Sequence, residues 1–88
     1  MNAARRKTIR GIIEQLEAIK DDIEAAKDAI GAVAEEEQEA FDNMPAGAQS
    51  SDRGQQIEEN AEALQGMADD MDCIDIDSII TALEEVIG

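Results

Sequence analysis

Two places in the chain concentrate residues able to do chemistry. The first is a basic cluster, Arg5, Arg6, Lys7 and Arg10, in a 13-residue start that contains no carboxylate. Arginine offers paired N–H donors in a fixed fork, so such a cluster suits phosphate-like anions. The second is the stretch Phe41, Asn43, Met44, Pro45, Gln49, Ser50, Ser51 and Arg53. It brings the only aromatic residue, the only proline and an isolated arginine to the expected start of a helix, where free backbone N–H groups favour anions. The candidate ligand-binding residues are therefore Arg6, Arg10, Phe41, Asn43, Met44, Ser51 and Arg53. The arginines and polar loop groups would contact phosphate and ribose, with Phe41 or Met44 against a base. Plainer roles are open to the same residues. Arg6 and Arg10 can neutralise Glu84 and Glu85, Pro45 can stop a helix, Ser51 or Asp52 can cap the next, and Phe41 can plug the end of a hairpin.

Catalytic chemistry finds little support. There is no histidine, and the single Cys73 has neither an imidazole partner nor a second cysteine, so a buried small hydrophobe is its simplest role. No glycine-rich phosphate loop or nucleophile elbow occurs. Glu14-x-x-Glu17 with Glu39-x-x-Asp42 resembles, as a string, a magnesium motif of helical nucleotide pyrophosphohydrolases, but two pairs more than 20 residues apart on one straight helix cannot share an ion. The run Asp70 to Asp77 lacks the glycine and terminal glutamate of a calcium loop. No enzyme, metal or cofactor is expected.

Positioning falls to helices. With 88 residues and 43% hydrophobic side chains, the chain suits one helical domain, 1–88, rather than a disordered tail. Apolar residues recur at Ile9, Ile12, Leu16, Ile19, Ile23, Ala26, Ile30, Val33, Ala40 and Met44, in steps of three and four with a gap at Glu37. This seam predicts one helix over about 3–43. A loop, 44–51, follows. Ile57, Ala61, Leu64, Ala68 and Met71 predict a second helix over about 52–71. Ile76, Ile79, Ile80, Leu83, Val86 and Ile87 predict a third over about 76–87, with Asp75 as cap and Ile74 packed on Ile79 as a staple. Folding back at the loop sets Ile9 against Ile87, Leu16 against Ile80, Ile30 against Met67 and Val33 against Leu64. The expected fold is all-α, an antiparallel helical hairpin or open three-helix bundle.

Ile13, Phe41 and Ile79 fall outside the narrow seam and call for cover, which predicts a homo-oligomer. Charge bounds the other partners. Against 22 acidic residues stand 7 basic ones, for a net charge of −15, so direct nucleic-acid binding is not expected. No apolar run is long enough to span a membrane and no signal-peptide core follows the basic start, so a soluble, cytoplasmic protein without membrane contact is expected.

The run Glu35-Glu36-Glu37-Gln38-Glu39-Ala40-Phe41-Asp42-Asn43-Met44-Pro45, followed by Ser50-Ser51-Asp52-Arg53-Gly54, resembles a family of small acidic helical proteins of tailed phages and prophages. The resemblance implies a phage accessory role, acting in the host cytoplasm. By analogy with small phage counter-defence factors, it suggests an oligomer that sequesters a small anionic ligand such as an immune signalling nucleotide. Two alternatives stand beside it: an acidic nucleic-acid mimic that inhibits a basic host protein, and a virion structural or assembly protein.

Overall fold

A computed structural model describes residues 1–88, and the chain is all-helical with no strand. The helices are α1 (Ala3–Asp42), α2 (Ala46–Gln49), α3 (Asp52–Asp72) and α4 (Ile76–Ile87). The chain packs as two compact units. One comprises Met1–Ala25 with Ile74–Gly88, so the first part of α1 lies with α4. The other is Ala26–Cys73, which holds the rest of α1 with α2 and α3.

Helix α1 runs unbroken because no proline interrupts it, and Asn2 starts it by accepting the Arg5 N–H at 2.9 Å. The side of α1 turned inward differs from the expected seam. Ile13 and Ala34 are buried, whereas Ile12, Ile19 and Val33 are 39%, 45% and 47% exposed. Covered positions on α1 run Ile9, Ile13, Leu16, Ile23, Lys27, Ile30, Gly31, Ala34, Glu37 and Phe41, with Met44 just past its end. Both frames share a spine at every seventh residue from Ile9 to Met44. They differ in the flank, which is Ile12, Ile19, Ala26, Val33 and Ala40 in one and Ile13, Lys20, Lys27, Ala34 and Phe41 in the other. On the second flank Ile13 and Ala34 are buried, Lys27 and Phe41 are half-buried, and Lys20 is exposed with its ammonium on Asp77. Its lysines fit because their stems can lie on apolar surface while their ammonium groups reach carboxylates.

In the first unit, Ile80 is buried, and Ile76, Leu83 and Ile87 are half-buried on the same stripe of α4. Asp75 caps this helix, accepting the Ser78 N–H at 3.0 Å. Ile74 and Ile79 are 49% and 51% exposed, so the expected staple shields little of either. In the second unit the buried side chains are small: Ala34, Ala61 and Ala68, with Gly54 beside them in sequence register. Ile57 and Leu64 are half-buried between them along α3, and Met71 is half-buried just beyond Ala68. Cys73, expected inside, is exposed, with its thiol 3.7 Å from the Asp69 carbonyl. It sits one residue beyond the last turn of α3, past the end of the covered stripe.

The expected loop contains a helical turn of its own, α2. Pro45 sets its start, because the ring fixes φ near the helical value and the missing N–H is not needed there. Asn43 and Met44 close the end of α1, donating backbone N–H groups to the carbonyls of Glu39 and Phe41.

Candidate functional site

The turn of the second unit is held by side chains as well as backbone. Gln49 Nε2 donates to the Phe41 carbonyl at 3.0 Å, tying the end of α2 to the end of α1. Ser51 caps α3, accepting the Gly54 N–H at 3.2 Å while its own hydroxyl donates to the Ala48 carbonyl. Gly54 makes this approach possible. A Cβ there would overlap the Ala48 carbonyl oxygen and lie 2.6 Å from the Gln49 carbonyl oxygen, so only glycine fits without moving backbone.

Five of the seven expected site residues, Phe41, Asn43, Met44, Ser51 and Arg53, belong to this turn or its borders. Phe41 and Met44 are half-buried, and Asn43, Ser51 and Arg53 are exposed. Asp52 already places a carboxylate in the first turn of α3, which weakens the pull of that terminus on a further anion. Arg6 and Arg10 lie on α1 in the first unit, both exposed. They do not form the expected ion pairs with Glu84 and Glu85. These side chains all stand in water, where holding two long chains together returns little energy.

The distribution of ion pairs is uneven. Lys20 meets Asp77 at 2.8 Å within the first unit, and Lys27 meets Asp72 at 2.6 Å within the second. The hydrogen bond that Lys20 donates to Asp77, followed by the carboxylate's charge, holds the Lys20 pKa above the ordinary lysine value. Arg5, Arg6, Lys7, Arg10 and Arg53 have no carboxylate within ion-pair distance. Every arginine is therefore unpaired in a chain with a threefold excess of acids.

Grooves divide in the same way within each unit. One groove of the first unit is lined by Glu17, Lys20, Asp21, Asp77, Ile80, Thr81 and Glu84. On α1 of the same unit, Ile12, Gln15, Leu16, Ala18 and Ile19 form an uncharged depression. In the second unit, Lys27, Asp28, Glu35, Asp69 and Asp72 edge a polar groove, while Val33, Ala63, Leu64 and Met67 line a mainly apolar one. Val33 and Leu64 do share a groove, as the expected register required. No group of three or more carboxylates or cysteines is arranged to hold a metal ion. None of the seven candidate residues lines these four grooves.

Sequence reasoning did not single out Gly54, Lys20 or Lys27 as organisers. A signal for Gly54 exists: glycine in the first turn of a helix, three residues after a serine cap, is costly unless another backbone lies against it. Comparison of the chain with protein-family models, curated proteins and solved structures gives no match. The chain has no helix long and apolar enough to cross a membrane.

Proposed function

We propose that this chain is a non-enzymatic, homo-oligomeric phage accessory protein of the counter-defence kind, which sequesters a small anionic ligand such as an immune signalling nucleotide. The observation that carries the reading is the state of the arginines. Arg5, Arg6, Arg10 and Arg53 remain without carboxylate partners although acids outnumber bases 22 to 7. An unpaired guanidinium keeps its donor fork available for a phosphate. Arg53, Asn43 and Ser51 stand at a turn whose backbone is fixed, which lowers the ordering cost of binding. Arg6 and Arg10 belong to the other unit, and the reading has ligand pockets form where protomers meet. The phage assignment draws on the resemblance of residues 35–45 and 50–54.

Thermal-shift measurements against cyclic dinucleotides and ADP-ribose derivatives test this reading. A binding ligand raises the melting temperature of the wild-type chain, and Arg53→Ala with Arg6→Ala abolishes the rise. Absence of any shift at ligand concentrations well above micromolar removes the sequestration reading.

A second reading is favoured by the carboxylate-edged grooves. Glu17, Asp21, Asp77 and Glu84 in one unit, and Asp28, Glu35, Asp69 and Asp72 in the other, suit a basic protein surface. Such a complex would weaken steeply with salt. Capture of a host nucleic-acid-binding protein at low salt, lost as salt rises, would favour this reading over the first.

A further inference from the structure

We infer that the apolar side of the first unit, formed by Ile12 and Ile19 of α1 with Ile79 and Val86 of α4, is the contact surface between two copies of this chain. The inference supplies the interface on which the oligomeric part of the proposed function rests. Ile12, Ile19, Ile79 and Val86 are 39%, 45%, 51% and 54% exposed.

Geometry puts the four on one side. The opposite edge of the same helix pair is marked by the Lys20–Asp77 ion pair and the groove that holds Glu17, Asp21, Thr81 and Glu84. Along α1, Ile12 and Ile19 precede the buried Ile13 and the Asp77-paired Lys20 by one residue. Along α4, Ile79 and Val86 precede Ile80 and Ile87 likewise. In an antiparallel pair, positions with this shared offset fall on the same flank.

The occupant is a second copy for two reasons. The interior is thin, as in small domains that gain stability by self-association: its buried hydrophobic residues are Ile13, Ala34, Ala61, Ala68 and Ile80, and no large side chain is fully enclosed. Second, the depression at Ile12 and Ile19 carries no charge. It offers a basic partner nothing to pair with. A two-fold pairing through this side matches aliphatic side chains to themselves and leaves both sets of carboxylates facing water, where their repulsion is screened. The flank of α1 that carries Ile12 and Ile19 is also its more apolar one, since the other includes Lys20 and Lys27.

Light scattering on the 88-residue chain, without ligand, tests the assignment. The wild type should run at twice its 9.5 kDa mass, or an even multiple of it. Ile19→Glu and Ile79→Glu should each lower that mass at equal protein concentration, while Glu84→Gln, on the acidic side, leaves it unchanged. Ile79→Ala, which keeps the inward-facing stripe intact, should raise the dissociation constant at least tenfold with helical content retained in the assembled state. A wild-type mass of one chain at concentrations well above micromolar would overturn the inference, as would Ile19→Glu and Ile79→Glu assemblies of wild-type mass. An even-numbered assembly that no nucleotide stabilises removes the ligand reading alone, and a nucleotide-stabilised single chain removes this interface alone.

Discussion

The two units bury unlike interiors. In the first, Ile13 and Ile80 are the buried side chains, and Ile9, Leu16, Ile23, Ile76, Leu83 and Ile87 are half-buried. In the second, Ala34, Ala61, Ala68 and Gly54 are buried, and the turn is locked by hydrogen bonds from Gln49 and Ser51. Large side chains stabilise by the apolar area they remove from water. Small ones contribute little area but let backbones come close, so their value lies in fixing position. The first unit thus depends on apolar area, part of which still faces outward, and the second on close fit and a built turn.

The largest test of this contrast is Ile80→Ala. Truncating a buried isoleucine loses its transfer free energy and leaves a cavity, so a loss of about 3 kcal/mol is expected. Urea denaturation gives the total, and hydrogen exchange should place the loosening first in α4. A loss below about 1 kcal/mol, the scale of an exposed truncation, would break the contrast by showing that Ile80 is not a keystone of the first unit.

Next in size is Gly54→Ala. Adding one methyl group against the carbonyls of Ala48 and Gln49 forces α2 away from α3, at about 2 kcal/mol. Protection should fall at the amides of residues 46–55 while α4 is spared. Ala at the equally helical but open Gly66, where nothing lies near a Cβ, should instead be neutral or stabilising. Equal effects at the two glycines would remove the claim that close fit holds the second unit.

These elements also show what was legible in the residues. The long helix, its stop at Pro45 and the caps at Ser51 and Asp75 follow from local chemistry, because each depends on neighbours within a turn. The inward side of α1 does not. Ile12 and Ile13 are both apolar, and so are Val33 and Ala34; which of each pair turns inward depends on the helices packed against α1, where Lys20 and Lys27 also meet Asp77 and Asp72, and that is tertiary information. Helix α2 was hidden because Ala46-Gly47-Ala48-Gln49 has the composition of a loop. At the candidate site, the grouping from Phe41 to Arg53 was readable because those residues are close in sequence. The pairing of Arg6 and Arg10 with Glu84 and Glu85 was a long-range expectation between solvated side chains, and nothing local enforces it.

A smaller effect is expected at the start of α3. Ser51→Ala removes the acceptor for the Gly54 N–H and the donor to Ala48, at about 1 kcal/mol. Thermal melts followed by circular dichroism should show the loss, and Ser51→Asp should restore most of it. Full stability in Ser51→Ala would mean that packing at Gly54 alone holds the turn.

The start of α4 sharpens the comparison through pH, since its cap is a carboxylate where that of α3 is a hydroxyl. The Ser78 hydroxyl and then its backbone N–H donate to Asp75, and both bonds hold the Asp75 pKa below the ordinary aspartate value. A depressed folded value means the unfolded chain takes up the proton first as pH falls. The cap's contribution is therefore whole above the unfolded pKa, about 3.9, and disappears as pH drops through the folded one. Global acid unfolding would blur this, because loss of negative charge across so acidic a chain also relieves repulsion. The Ser78 amide resonance isolates it. Its titration midpoint should lie below the ordinary aspartate value in the wild type and move upward in Ser78→Ala, which loses the hydroxyl bond and keeps the backbone one. The Ser51 cap has no charge to lose, so the Gly54 amide should show no titration traceable to its own cap. A Ser78 midpoint at or above the ordinary aspartate value would detach Asp75 from α4 and leave the two helix starts with no difference in kind.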